Sequence, residues 1–329
     1  MSSKINNVNI INVTKILNDM QMESMEGQYI PEKHYNNIIN SDTDAIKADG
    51  TYLFRFRKGV IPICLINQAV TSLKTVSMKK HDNRGAPAGV LNIRKMPNYV
   101  GKWFKQLKFR TYFYKKSDGK LSKHDISNLA PSNIIGFFDR KDRNDPKGLP
   151  CRLTAFSKQE CDKWNKTIPL IKHINSEFKR LMPDAYKIQL ERANLSKEYI
   201  IDDTCFSTIT TNYSWRTACH VDRGDYPMGF GNLIVCEDIE NPNIYSGCYL
   251  GFPQYGVCVN VRNTDFLAMD VHEWHCNTEF KSCQSPKPYA KFKSIDFNND
   301  WFYNRLSLVC YLRKNMYKCN ERIKKIKEN

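Results

Sequence analysis

From Thr204 onward the chain is cut into short β-prone runs: Phe206–Ile209, Cys219–Asp222, Leu233–Cys236, Gly247–Gly251, Val257–Val261, Asp265–Val271 and Leu306–Leu312. Gly, Pro and Asn separate them, and several short strands at such spacing predict an all-β sandwich or barrel. The texture upstream is different. Phe156, Cys161, Trp164, Ile168, Ile171, Ile174, Phe178 and Leu181 recur at helical spacing, and Ser157 with Glu160 forms a capping-box pattern. One or two helices are expected there, interrupted near Pro169. The combination predicts an α+β chain, a jelly roll preceded by helices packed on one side.

The remaining segments are less sharply written. Residues 1–50 are polar and Asn-rich, a lead-in that wraps the domain. Thr51 to Leu65 alternates as strands do, and Lys79–Gly89 is a basic loop bearing Gly and Pro. Two more polar, turn-rich stretches, Lys115–Pro131 and Asp139–Pro150, read as surface excursions. The expected division is residues 1–50 as the lead-in, 51–203 as a helical and β support region with basic loops, 204–315 as the catalytic β core, and 316–329 as a basic tail.

At 329 residues with 41% hydrophobic content, the chain can bury a proper core. Nothing approaches the roughly 18 consecutive apolar residues of a membrane helix, and Met1–Asn7 lacks a signal-peptide apolar segment. An intracellular protein, nuclear or cytoplasmic, is expected. The 12 cysteines never occur as Cys-x-x-Cys and sit in apolar runs such as Ile63–Leu65 and Val309–Tyr311. That pattern predicts reduced, buried thiols instead of a disulfide framework or a zinc site. A formal charge of +16 points to a polyanionic partner, because Lys and Arg release counterions from phosphates on binding. Nucleic acid, DNA or RNA, is the leading candidate, and a merely soluble basic surface is the alternative. Aromatics interleave with charge in Tyr99–Lys116, a pattern that suits base stacking and equally an amphipathic element packed on the core. Nothing in the sequence asks for a membrane or a second subunit.

Within the β-rich half, His220 and Asp222 are two residues apart, and in a strand such positions share a face, so both can reach one ion. The third ligand has two candidates, His272 and His275. If Asp265–His275 is extended, Leu267, Met269 and Val271 share a face with His275, while His272 shares one with Asp270. An apolar face belongs inside, which favours His275. Two imidazoles and one carboxylate are the donor set of mononuclear Fe(II) oxygenases, whose open positions take a cosubstrate and O2. Downstream, Arg305 and Ser307 share one face of a run whose other face carries Leu306, Leu308, Cys310 and Leu312. A buried guanidinium needs an anion, and its fork fits both oxygens of a carboxylate. The expected anion is 2-oxoglutarate; a structural Asp is the alternative.

These residues carry a family likeness. His220-Val-Asp222 with Gly224 and Asp225, the run from Asp265 to Thr278, and the run from Arg305 to Tyr311 resemble the 2-oxoglutarate- and Fe(II)-dependent oxygenases of the TET/JBP family, which oxidise the 5-methyl group of pyrimidines in nucleic acid. The resemblance is closer to the JBP-like branch. Asn83–Gly89, Pro150–Phe156 and Phe206–Asn212 leading into Arg216 are also similar, so the likeness covers residues 80 to 315. It implies a double-stranded β-helix, cupin-like core. It also implies iron ligands at His220, Asp222 and His275, a 2-oxoglutarate clamp at Arg305 with Ser307 beside it, a further cosubstrate contact at Arg216 and a base-edge contact at Asp225. Some methylcytosine oxidases of the family have a His eight residues after the clamp arginine; this chain has Arg313, which leaves thymine and 5-methylcytosine as open alternatives.

Asp225, Arg313, Asn83 and Arg84 are the candidate grips on a base flipped from a duplex or presented single-stranded. The 79–89 loop could equally be a solvated turn. The implied activity is hydroxylation of a pyrimidine methyl in DNA. Two other readings compete with it: a 2-oxoglutarate-dependent prolyl or lysyl hydroxylase, and a non-catalytic DNA-binding protein with a vestigial metal site.

Overall fold

The computed structural model describes residues 8–91, 99–104, 109–140, 151–237, 245–282 and 305–322. Along the chain, β1 (Asn9–Val13), a short helix α1 (Asp19–Ser24), β2 (Asn37–Ile39), β3 (Thr43–Lys47) and β4 (Tyr52–Arg57) precede α2 (Ile63–Ser77). An antiparallel meander follows, β5 (Tyr99–Phe104), β6 (Phe109–Lys115) and β7 (Leu121–Ile126), and then β8 (Ser132–Phe138) and β9 (Arg152–Leu153). Helices α3 (Ala155–Gln159), α4 (Cys161–Leu181) and α5 (Pro183–Asn194) come next. The β-rich half comprises β10 (Thr208–Tyr213), β11 (Gly231–Glu237), β12 (Tyr245–Gly247), β13 (Leu250–Phe252), β14 (Val257–Val259), β15 (Phe266–Met269), β16 (Cys276–Asn277), β17 (Phe280–Ser282) and β18 (Arg305–Tyr311).

The major sheet runs β1-β3-β4-β15-β11-β18-β10-β8-β9, and a minor sheet runs β16-β13-β14-β2. The two-residue period of the central strands sorts their side chains between two cores. Ile234, Cys236, Phe266, Ala268, Leu306, Leu308 and Cys310 pack under Leu73 of α2 and Ile171, Ile174 and Phe178 of α4. Their neighbours Leu233, Val235, Leu267 and Met269 pack instead against Leu250, Phe252, Val257 and Val259 of the minor sheet. This is an α+β double-stranded β-helix with its helices on one side.

The residues expected as a lead-in are built into both sheets. β1, β3 and β4 extend the major sheet from β15, and β2 pairs with β14, which covers backbone edges that would otherwise lie open. The divisions at residues 50 and 203 therefore do not follow the sheets. Of the alternation read from Thr51 to Leu65, only β4 is extended. From Ile63 the chain is helical, because Ile66, Ala69, Leu73 and Val76 recur at helical spacing and bury one face of α2.

The break expected near Pro169 falls instead at Glu160, between α3 and α4, and α4 runs through the proline without interruption. Its stripe of Trp164, Leu170, Ile171, Ile174 and Phe178 continues on both sides, and burial of that stripe outweighs the roughly 3 kcal/mol cost of a mid-helix proline. Ser157 does not cap a helix. It is buried within α3, and its hydroxyl accepts the Gly136 N–H at 2.9 Å.

Cysteine chemistry also departs from expectation. Cys151 and Cys319 form a disulfide, brought to a Cα–Cα distance of 5.7 Å by the packing of the C-terminal turn against Ala193 and Ile200. Cys64 and Cys161 are exposed, whereas Cys205, Cys219, Cys236, Cys248, Cys258, Cys276 and Cys310 are buried free thiols. The Tyr99–Lys116 stretch falls on β5 and β6, with residues 105–108 outside the described residues. The Lys115–Pro131 stretch contains β7, and residues 141–150 and 323–329 likewise lie outside the described residues. Among the described residues, no helix is long and apolar enough to cross a membrane.

Candidate metal centre and active site

Cys219–Asp222 is not a regular strand. His220 and His275 form a single antiparallel bridge, with His220 N–H donated to His275 O at 3.0 Å and His275 N–H to His220 O at 2.9 Å. Asp222 N–H is donated to Val271 O at 3.0 Å. The turn can press this close because position 231 is glycine; a Cβ there would collide with the Val271 side chain. The extended run assumed for 265–275 ends at Met269, so His275 arrives through a turn, and parity is not what positions it.

The side chains of His220, Asp222 and His275 converge, with one donor atom from each lying within 4.8 Å of the others. His220 Nε2 lies 3.7 Å from Asp222 Oδ1, and His275 Nε2 lies 3.6 Å from Asp222 Oδ2. Both separations are too long for good hydrogen bonds and suit three donors facing one point. Behind them, His220 Nδ1 sits 2.7 Å from Ala218 O and His275 Nδ1 sits 2.9 Å from Glu273 O. A carbonyl can only accept, so each Nδ1 carries the proton and each Nε2 presents its lone pair inward. Burial, then the neighbouring His275, pushes His220 down to about 4, which keeps it neutral. Burial opposes charge on His275, but the Asp222 carboxylate outweighs it and holds the ring above its ordinary value. Asp222 is in turn held low by the two histidines against the effect of burial. His272 is elsewhere: its Nε2 donates to Tyr226 O at 2.9 Å.

Across a cavity of about 220 Å³ stands the polar face of β18, lined by Arg305, Ser307, Val309 and Tyr311. Arg305 is 2% exposed and its Nε has no partner among the described residues. The nearby Glu237 is already engaged by Arg262 at 2.6 and 3.0 Å and by the Tyr245 hydroxyl at 2.5 Å. A buried guanidinium whose Nε has no partner among the described residues has donor capacity left for an anion. Asn212 of β10 joins the same wall and donates to Ser307 Oγ at 3.4 Å. Sequence reasoning missed Asn212 and Tyr311. Tyr311 shares the parity of Arg305 and Ser307, and Asn212 stands opposite Ser307 in the β10–β18 ladder, a pairing that becomes visible once strands are paired.

At the other end, Asn83, Arg84, Asp225 and Arg313 all line the cavity. Asp225 and Arg313 are bridged through their backbones, Arg313 Nε donates to Asp139 Oδ1 at 2.6 Å, and its guanidinium stacks 4.5 Å from the Phe138 ring. Burial and the nearby Asp222 charge push Asp225 well up. Arg84 Nε, like that of Arg305, has no partner among the described residues. Arg216 does not line this cavity. Its guanidinium donates to Asn277 O at 3.1 Å and Ile30 O at 2.8 Å, so it ties the N-terminal segment to β16.

Comparison with known proteins agrees with this geometry. The Tet_JBP family, described as the oxygenase domain of the 2OGFeDO superfamily, matches residues 133–314, more than half of the chain. Thymine dioxygenase JBP1 of Trypanosoma brucei brucei is 36% identical over 182 residues, covering 55% of this chain and 19% of that protein. The bifunctional helicase and thymine dioxygenase JBP2 of Leishmania major is 30% identical over 182 residues, covering 55% and 14%. The match thus spans a fifth or less of the length of these curated relatives. Among solved structures, NgTET1 in complex with 5mC DNA superposes with a TM-score of 0.51 at 12% identity, covering 98% of this chain and 91% of that one, a likeness of fold. The chain belongs to the Tet_JBP family of oxygenase domains in the 2OGFeDO superfamily.

Proposed function

We propose that this protein is an Fe(II)- and 2-oxoglutarate-dependent dioxygenase that hydroxylates the 5-methyl group of a pyrimidine, thymine or 5-methylcytosine, in DNA. The observation that carries the reading is the facing of two incomplete sites across one cavity: three convergent metal donors on one side and, on the other, the buried Arg305, whose Nε has no partner among the described residues. The donor set fits the metal, because two imidazoles with their Nδ1 atoms engaged by carbonyls and one carboxylate suit Fe(II) and leave positions open. When bound there, Fe(II) and 2-oxoglutarate would supply the O2-dependent oxidation that converts a methyl group to hydroxymethyl.

His220, Asp222 and His275 would hold the metal, with their Nδ1–H donors and backbone bridge fixing the ring planes. Arg305, with Ser307 beside it, would take the far carboxylate of 2-oxoglutarate through a charge-assisted fork. Asn83, Arg84, Asp225 and Arg313 would surround the base, and a cavity this small admits one nucleobase only after it leaves the stack. The formal charge of +16 and the thymine dioxygenase names of the relatives support DNA as the polymer.

The test is incubation with Fe(II), 2-oxoglutarate and DNA containing thymine or 5-methylcytosine, followed by digestion to nucleosides and mass spectrometry. A hydroxymethyl pyrimidine that depends on both additives is the expected product. Turnover of 2-oxoglutarate on peptides with every nucleoside unchanged would refute the assignment.

A further inference from the structure

We infer that Lys47, at the end of β3, is a positioning residue for the metal corner, acting through the turn that presents His275. The inference rests on the Fe(II) reading above. Between the end of β15 at Met269 and the start of β16 at Cys276, the chain makes no regular ladder. The orientation of the His275 ring is set from behind by its Nδ1–H donated to Glu273 O at 2.9 Å. Whatever holds Glu273 therefore holds the ring.

Lys47 Nζ lies 3.1 Å from Glu273 Oε1 and 2.8 Å from Asp270 Oδ2, so one ammonium joins two acids of the same turn. Asp270 is anchored further: its N–H is donated to Leu53 O at 2.9 Å, and its Oδ1 accepts the His272 N–H at 3.0 Å. These side chains are mostly withdrawn from solvent, 13% exposed for Lys47 and 17% for each acid, so the attraction is weakly screened. Burial works against the ammonium, yet the two carboxylates hold it above its ordinary value.

Removing Lys47 leaves two carboxylates of one turn without their shared cation. The inexpensive relief is for the turn to open toward water, which carries the Glu273 carbonyl away from His275. Lys47 itself does not line the cavity, so its influence is indirect. It also lies outside the 133–314 segment that matches the family. The support of the metal corner is thus supplied by the N-terminal strands, which gives residues 1–50 a part in the site beyond closing the sheets.

The test uses the full chain, prepared metal-free and titrated with Co(II), whose d–d absorption reports coordination geometry, and with Fe(II) without oxygen. Lys47→Met is expected to weaken metal affinity about 10- to 100-fold, as loss of an outer-shell support does, and to alter the Co(II) spectrum. Lys47→Arg, which keeps the charge, should restore most of both. Glu273→Gln provides a second reading if Lys47→Met folds poorly, with a shift in the same direction. A folded Lys47→Met protein with wild-type affinity and spectrum overturns the inference, as does a Lys47→Arg protein as impaired as Lys47→Met. Wild-type protein that takes up neither metal overturns the Fe(II) reading itself, a distinguishable result.

Discussion

The two walls of the cavity are built by different means. The wall proposed for the cosubstrate is β18, seven residues long and hydrogen-bonded on both sides, to β10 and to β11. Its alternation puts Leu306, Leu308 and Cys310 under the helices and Arg305, Ser307 and Tyr311 into the cavity. The metal wall has one isolated bridge and a turn, each side chain held by a particular carbonyl or ion pair. A ladder spreads responsibility over many equivalent bonds, whereas the metal corner depends on single contacts. Changes on the ladder should therefore separate cleanly into stability and binding effects, and changes at the corner should not.

The largest effect is expected at the corner. Asp222→Ala removes the one anionic donor, and both metal uptake and succinate formation should fall below detection. His272→Ala should leave both intact, because that ring is engaged with Tyr226 outside the triad. The reverse pattern would move the third ligand and dissolve the distinction between the walls.

On the ladder, Arg305→Met should raise KM for 2-oxoglutarate by roughly 100- to 10,000-fold, since two charge-assisted hydrogen bonds at ~1.5–3 kcal/mol each are lost. Its melting temperature without ligands should fall only slightly, because burial works against the charge, the Nε has no partner among the described residues and the nearby Glu237 is already engaged by Arg262. A large fall would mean that Arg305 serves the fold and not the cosubstrate. On the opposite face of the same strand, Leu308→Ala should cost about 2–5 kcal/mol in denaturant unfolding while leaving 2-oxoglutarate affinity unchanged.

The smallest effect concerns acid. Burial opposes ionisation of Asp44, but Arg55 at 2.6 Å and Arg57 at 2.7 Å hold its carboxyl below the ordinary range. A pKa lower in the folded than in the unfolded chain stabilises the fold above the ordinary value of about 3.9, and that contribution is lost as pH falls through the folded value. Unfolding free energy measured down an acid series should drop in that window, and Asp44→Asn should flatten the drop. Because Asp44 does not line the cavity, metal affinity corrected for folding should not follow it.

Much of the ladder was legible in the amino-acid order. Parity alone placed Arg305 and Ser307 together with the leucines behind them, and the family likeness named His220, Asp222 and His275, which the fold brings within 4.8 Å. The parity assumed for 265–275 was wrong in its premise, since the strand stops at Met269, although the histidine it favoured is the one at the corner. Arg216 lies off the cavity, where sequence alone could not put it, because a guanidinium near the first ligand can serve either the cosubstrate or the chain. Ile30, Asn277 and Glu279, far away in sequence, claim it. Pro169 and the Cys151–Cys319 bond were misjudged for the same reason: long-range packing overrode a local rule.

Local patterning sufficed for the β-rich half, the helical stripe of α4, the anion-seeking face of β18 and the chemistry of the metal donors, because periodicity and functional groups belong to neighbouring residues. Three-dimensional packing alone settled that strands from residues 1–50 complete both sheets, that Lys47 pairs with Glu273 of the His275 turn, and that Arg84 and Arg305 line one cavity with Nε atoms that have no partner among the described residues. Those outcomes depend on which remote groups compete for the same hydrogen bond or charge, and no short stretch of sequence contains both competitors.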